Sequence, residues 1–342
     1  MATNGAPILA KPRFTPTEAA SIYADLRQKV TSQGILKRSY GYYFFTSVLT
    51  IAAAVLSIYF VIISPTIWHL VAWTIVFIFL SIQLAGFFHD AGHRAVFNSP
   101  FLNDLYGAFI ASLSNISYFY WRTKHNKHHA SPNELEEDPD IEIPFVNFTH
   151  EKKLANPIER FVRPYQAYLY FPIGIFALIY FKFRSLNHYK TSPGAYLLWE
   201  IPIFVIGLFV WYALPFLLLP LSWALVFIIL SNLGIGFYMM NIFAPNHKGM
   251  PQIEKGAKFS FLEQQIITSR NVKSNWLLDI FLIGLNYQIE HHLFPNCPRN
   301  KLAQITPYVL EICDKYEIDY SEVSLVETNR IILTELNQIA HS

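Results

Sequence analysis

Phe87-Phe88-His89-Asp90-Ala91-Gly92-His93 marks the point where an apolar stretch of membrane-spanning length runs without a break into two histidines four residues apart. On a helix, residues three or four apart share a face, so both imidazoles project together just past the apolar segment. Two further clusters follow, His125-Asn126-Lys127-His128-His129 and Gln288-Ile289-Glu290-His291-His292, with a single His247 between them. Eight of the twelve histidines fall in this pattern. His125, His128 and His129 offer the i, i+3, i+4 set, and Gln288, His291 and His292 repeat it. Neutral imidazole is the commonest protein ligand for iron, zinc and copper. One zinc ion takes about four ligands, so eight imidazoles are too many for one ion and suit two.

The 342-residue chain is 53% hydrophobic, 16% aromatic and only 15% charged, with a mean hydropathy of +0.27. A soluble domain carries about 25% charged residues, so the composition indicates a membrane protein. A net charge of +2 gives no basis for nucleic-acid binding. The two cysteines, Cys297 and Cys313, form no CxxC pair, which disfavours iron–sulfur, zinc-finger and disulfide-framework chemistry. Residues 1–40 are polar and lack the basic, apolar and small-residue succession of a signal peptide.

Lysine and arginine are absent from two long regions, Ser39 to Gly92 and Thr191 to His247. Each is too long for one crossing, which takes about 20 apolar residues. Each is also broken by a proline-containing turn, Ser64-Pro65-Thr66 in the first and Pro220-Leu221-Ser222 in the second. Two helical hairpins are predicted, with crossings near Tyr42–Ile63, Trp68–Phe88, Leu197–Leu219 and Trp223–Phe243. Four crossings put both termini and the central loop on one face, together with every lysine and arginine. The positive-inside rule makes that face cytoplasmic, or its equivalent in an organelle. All eight patterned histidines lie there too; an odd number of crossings would divide them between compartments. Phe101–Tyr120 and Tyr165–Phe181 read as interfacial helices, and the segment from Pro298 onward as an amphipathic soluble helix pair. His69 falls on the opposite face at headgroup level. His150, His188 and His341 lack cluster spacing and read as solvated.

Nitrogen-rich ligation suits iron or zinc better than magnesium or calcium. Asp90, Asn126 and Glu290, inside the clusters, and Asp138 and Asp140, in the loop after the second, can accept imidazole N–H groups and orient the rings. Arg122, Lys124 and Lys127 flank the second cluster. They suit a phosphate headgroup, a CoA or an acidic protein, or express only the positive-inside bias.

At these residues the chain resembles the membrane fatty acid desaturase family, whose three histidine boxes match His89–His93, His125–His129 and Gln288–His292. The likeness extends to Trp121, Pro132-Asn133, Asp138-Pro139-Asp140-Ile141, Thr268-Ser269-Arg270-Asn271 and Gly284 through Pro295, and covers roughly Gly41 to the C-terminus. It implies an all-α integral membrane protein with four transmembrane helices in two hairpins, about 42–88 and 197–243. A cytoplasmic helical cap, 89–196 and 244–342, carries the dimetal site. Residues 1–40 are then a cytoplasmic N-terminal segment and 41–342 the desaturase domain. The resemblance further implies two iron ions held by the box histidines, His247 as an additional ligand and Gln288 reaching the metal through water. The substrate is a fatty acyl chain, lipid- or CoA-linked, and a cis double bond is introduced into it with consumption of dioxygen. Glutamine at the head of the third box is similar to the front-end subgroup, in which the new bond lies between an existing one and the carboxyl end (Δ6-like regiochemistry). A fused cytochrome-b5-like domain with a His-Pro-Gly-Gly motif, common in eukaryotic front-end enzymes, is not found, so a separate donor, ferredoxin or cytochrome b5, is expected.

Two other classes suit parts of the pattern. A hydroxylase, ketolase or alkane monooxygenase uses the same scaffold, but the box flanks favour desaturation. A membrane zinc hydrolase needs a general base and no electron donor. A metal transporter needs ionisable groups near mid-bilayer. Within the crossings only Gln83, Glu200, Ser231, Asn232 and Asn241 stand out, most of them toward the ends.

Overall fold

A computed structural model of the chain describes residues 6–141, 145–149 and 156–341; His150 lies outside them. Among the described residues the order is β1 (Ile8–Leu9), α1 (Pro16–Ser32), α2 (Tyr40–Ile62), α3 (Ile67–Gly92), α4 (Pro100–Ser112), α5 (Tyr118–Ala130), α6 (Pro157–Val162), α7 (Gln166–Gly174) and α8 (Ala177–Thr191). There follow α9 (Leu197–Leu208), α10 (Leu214–Leu218), α11 (Leu221–His247), β2 (Gln252–Ile253), α12 (Phe261–Ile267), β3 (Asn271–Val272), α13 (Trp276–Phe281), α14 (Gln288–Leu293), α15 (Thr306–Tyr316), β4 (Glu322–Val323) and α16 (Leu325–Ala340). The expected all-α membrane fold is the one found, with two short parallel strand pairs, β1–β2 and β3–β4, added to it.

Four segments are long and apolar enough to cross a membrane: Tyr40–Ile62, Ile67–Gly92, Leu197–Leu218 and Leu221–His247. They coincide with the predicted crossings. At α3, 26 residues at 1.5 Å each span about 39 Å, against a hydrocarbon core of about 30 Å. The excess carries the helix past the apolar layer, and His89 stands on the emergent turn, with His93 capping it. The 27-residue α11 does the same for His247, its last residue. The α2–α3 turn is short because Pro65 lacks an N–H and biases Ser64 away from helix. Thr66 then restarts the chain, its Oγ1 accepting from the His69 amide; His69 is exposed there. The segment Pro157–Gly174 with Ala177–Thr191 is jointly apolar enough to cross but is bent by 74° at its break.

The chain divides into two compact units, residues 1–37, 124–172 and 242–342 in the first and 38–123 and 173–241 in the second. In the second unit α2 packs on α3, α3 on α4, and α4 on α9. Between α9 and α10 the helix widens to a π-turn over Phe209–Ala213, which relieves the clash and the missing donor that Pro215 imposes. Glu200, buried on α9, accepts from Ser117 Oγ at 3.1 Å and from the Phe119 amide at 3.3 Å, capping the start of α5. Lys182 is buried among side chains of the same unit. Its buried ammonium donates to Tyr212 Oη and Asn232 Oδ1, each at 2.9 Å, and lies 4.2 Å from the Trp211 ring centroid. A four-carbon stem lets a lysine whose backbone lies elsewhere place its charge against the middle of α11. There, hydroxyl, amide and indole face substitute for water.

In the first unit Ile22, Leu26 and Val30 of α1 join Leu262, Ile266, Ile289, Leu293, Val309 and Ile312 in one core. Thr15 and Glu18 form a reciprocal cap at the start of α1. The segment set apart as 1–40 therefore contributes through α1 to the packing beneath the third box. Helix α14 has only six residues, too few to be stable alone; Ile289 and Leu293, both fully buried, hold it on that core. Cys297 and Cys313 are both buried.

Gly207 on α9 sits at a close helix crossing, where an added Cβ would lie 2.2 Å from Ser112 O. Alanine in place of a helical glycine gains up to about 1 kcal/mol; forcing two backbones apart costs about 1–3 kcal/mol. Gly207→Ala is therefore expected to lower the thermal unfolding midpoint in detergent. Gly41→Ala, which meets nothing within 4 Å, leaves it unchanged or raises it.

Candidate metal centre

Helix α5 presents His125, His128 and His129 on one side, the first two buried. Asn126, about 100° per residue around the helix from His125, is exposed and does not orient a ring as expected. In α14, Gln288, His291 and His292 share one side and are all buried. Glu290 falls on the other side and faces away from the expected task. It accepts from Asn271 Nδ2 at 2.7 Å and Tyr320 Oη at 2.9 Å, anchoring α14 from behind.

Within the first unit the ligating nitrogens gather. His125 Nε2 lies 3.1 Å from His129 Nε2, which lies 3.2 Å from His291 Nε2. His128 Nε2 lies 3.3 Å from His247 Nε2. One ring nitrogen from each of His128, His247 and His292 falls within 4.8 Å of the other two. Gln288 Nε2 is 2.8 Å from His247 Nε2, and its Oε1 accepts from Asn246 Nδ2 at 2.9 Å. His89 and His93 belong to the second unit. Their ring centroids are 4.8 Å apart, and Trp121 packs on both. Gly92 lets the indole approach; a Cβ there would lie 2.5 Å from it. Asp90 meets its expected role, 3.1 Å from His89 Nδ1 and fixed by the Tyr43 hydroxyl at 2.7 Å.

The protons behind the rings test whether a cation fits. His128 Nδ1 lies 2.9 Å from Asp138 Oδ2, His247 Nδ1 3.0 Å from Thr268 O, and His292 Nδ1 2.7 Å from Gln265 Oε1. The Gln265 amide is oriented by donating its Nε2 to His129 O at 3.1 Å. All three partners are acceptors, so each Nδ1 is the nitrogen that donates to them and each Nε2 is the one left to face a cation. His128 Nε2 and His247 Nε2 face each other across 3.3 Å, a spacing that a shared cation would fill. Two nitrogens each about 2.0–2.2 Å from one ion, at 90–109°, stand about 2.8–3.6 Å apart, and the separations fall in that range. The residues fit a metal.

Asp138 would be raised by burial. His128, Lys248 and the Asn133 amide outweigh this and hold it below its ordinary range, hence ionised. It also accepts from the Asn133 and Asp140 amides, each at 2.8 Å. Asp140 is engaged by Lys124 and lies 3.7 Å from His128 Nδ1. Asn133, in the left-handed region at φ +55°, donates to His247 O at 3.1 Å and Pro251 O at 3.2 Å. Of the basic residues beside the second box, Arg122 pairs with Asp104 and Lys127 with Glu137. His188, half-buried, is 2.9 Å from Tyr196 Oη rather than simply solvated; His341 is exposed. Gln265, Thr268 and Tyr43 were not singled out for any role from the sequence. The first two lie more than 20 residues from the rings they orient, and Thr268 acts through a main-chain oxygen. Removing such a partner costs about 10–100-fold in metal affinity, so Asp138→Asn is expected to lower bound iron by that factor at limiting metal, read by elemental analysis after dialysis. Asn126→Ala leaves it unchanged. Wild-type occupancy in Asp138→Asn would sink the orientation argument.

The profile of the fatty acid desaturase family matches residues 25–324. Similar proteins include an acyl-lipid (9-3)-desaturase of Borago officinalis, 32% identical over 77% of this chain and 62% of the relative. A second acyl-lipid (9-3)-desaturase, from Physcomitrium patens, is 30% identical over 96% and 65%. A Delta(6)-fatty-acid desaturase of Caenorhabditis elegans is 28% identical over 87% and 70%. The chain thus spans under two thirds of the length of the first two. With a match over most of its length and three histidine clusters at the matched positions, the chain belongs to the fatty acid desaturase family.

Proposed function

We propose that the protein is an iron- and dioxygen-dependent fatty acyl desaturase. The observation that carries this reading is the set of imidazoles whose Nδ1 atoms are turned to acceptors while the Nε2 atoms of His128 and His247 face each other. His125, His128, His129, His247, His291 and His292 would hold two irons together with His89 and His93, and Gln288 would act at the His247 position through water. Two bound irons would supply the reduction of dioxygen to two waters, which takes two external electrons, two protons from solvent and two hydrogen atoms from adjacent methylenes of the substrate. The protein's part is to keep the rings oriented. Asp138, Thr268 O and Gln265 hold the Nδ1 protons, and Asp90 stands behind His89. A separate protein, ferredoxin or cytochrome b5, would deliver the electrons on the cytoplasmic face, or its equivalent in an organelle.

The acyl substrate would be lipid- or CoA-linked. Gln288 at the head of the third box supports a front-end position for the new bond, as do the acyl-lipid (9-3) and Delta(6) relatives. The full chain, expressed with a compatible donor and fed saturated, mono- and di-unsaturated fatty acids, is expected to place a cis bond on the carboxyl side of an existing one, located by gas chromatography–mass spectrometry. A bond in a saturated chain would keep the chemistry and reject the position. Oxygen retained in the lipid would replace desaturation by hydroxylation. Gln288→His is expected to change turnover or bond position; identical products at identical rate would remove Gln288 from the site.

A further inference from the structure

Thr268-Ser269-Arg270-Asn271 stands out in the sequence, yet only its Thr268 carbonyl and Asn271 amide have entered the site so far. All four residues are at most 1% exposed. They lie between α12 and β3 and touch two ligand-bearing elements at once.

A helix end leaves four carbonyls without intrahelical partners. For α11, which ends at the ligand His247, these are the carbonyls of residues 244–247. The Ala244 carbonyl accepts from the Lys248 amide at 3.0 Å, and the His247 carbonyl from the Met250 amide at 3.1 Å. The other two fall to Arg270. Its guanidinium donates to Pro245 O through Nε at 3.0 Å and Nη2 at 2.8 Å, and its own amide donates to Asn246 O at 2.8 Å. Nη2 also reaches Lys248 O at 2.7 Å, just past the helix. A cation at a helix C-terminus is favoured by the aligned peptide dipoles. Burial pulls Arg270 down only to about 10, so it keeps its charge, and Glu335 is the carboxylate that acts on it.

On either side of Arg270 the same segment grips the two ligand-bearing elements. The Thr268 carbonyl takes the His247 Nδ1 proton. Asn271 Oδ1 accepts from the Ile289 amide at 2.9 Å, and its Nδ2 donates to Glu290. Both contacts fall on α14, which bears His291 and His292.

We propose that Thr268–Asn271 is a positioning strap, with Arg270 as its pivot, that fixes where His247 stands relative to the third box and so sets the metal position shared by His128, His247 and His292. This rests on the dimetal reading above. Arg270 touches no ligand nitrogen and acts through the main chain that carries His247. A lysine, a point charge without the planar fork, cannot bridge the same carbonyls.

The test is titration of the metal-stripped full chain in nanodiscs with cobalt(II), followed by its visible absorption. Wild type is expected to bind two equivalents, and His247→Ala to weaken one of them. Arg270→Gln is expected to weaken that same equivalent about 10–100-fold, leaving the other intact. Because Arg270 acts through His247, the double variant binds no more weakly than His247→Ala alone; a residue needed only for general stability gives additive losses. Additive losses, or wild-type titration by Arg270→Gln, overturn the strap. If Arg270→Gln does not fold, Arg270→Lys replaces it, with the same selective loss expected and an unaltered titration overturning the inference. Wild-type protein that binds fewer than two equivalents overturns the dimetal reading, and the strap with it.

Discussion

An imidazole holds a cation only while its ligating nitrogen carries no proton, and in this protein three rings, those of His128, His247 and His292, have an acceptor set behind them. A carboxylate, a main-chain carbonyl and a side-chain amide oxygen each take an Nδ1 proton from His128, His247 and His292. Three chemically different acceptors achieve one result because the ring asks only for a lone pair at the right distance. Much of the surrounding first unit serves to place those acceptors. Asn133 and Asp140 amides fix Asp138, Gln265 is tied to the main chain of the second box, and Thr268 is carried by a fully buried segment.

The membrane supplies the second constraint. A helix must clear about 30 Å of hydrocarbon before it can present a polar group to water. Both α3 and α11 run several residues beyond that length, enough for their terminal histidines to clear it. Inside the apolar layer, polar groups survive by local partnership. Glu200 is consumed in capping α5 and Lys182 in contacts with Tyr212, Asn232 and Trp211. Groups committed in this way hold helices together, and neither has the spare capacity expected of a ligand on a transport path.

How far the site could be read from the sequence differs from residue to residue. The box histidines were legible because i, i+3 and i+4 spacing forces rings onto one helix face whatever the fold around them. The same rule, applied strictly, predicts what the looser reading of neighbours missed. Asn126 and Glu290 sit inside their boxes but off the ligand face, so one is exposed and the other anchors α14 to Asn271 and Tyr320. Asp90 is also off that face, but stands close enough to His89 to meet its Nδ1. Arg270 was visible as part of a motif without a role, since its partners are backbone carbonyls that no sequence spells out.

The sequence by itself determined the four apolar segments of crossing length and the three sets of ring-bearing residues. Each follows from hydropathy or periodicity within about twenty consecutive residues. Only the tertiary structure decided which ring nitrogen of His128, His247 and His292 meets an acceptor, that α1 packs beneath the third box and that Lys182 is buried against the spanning helices. These depend on contacts between segments far apart in the chain, where a carbonyl, an amide or a lysine stem is chosen by position in space rather than by local order.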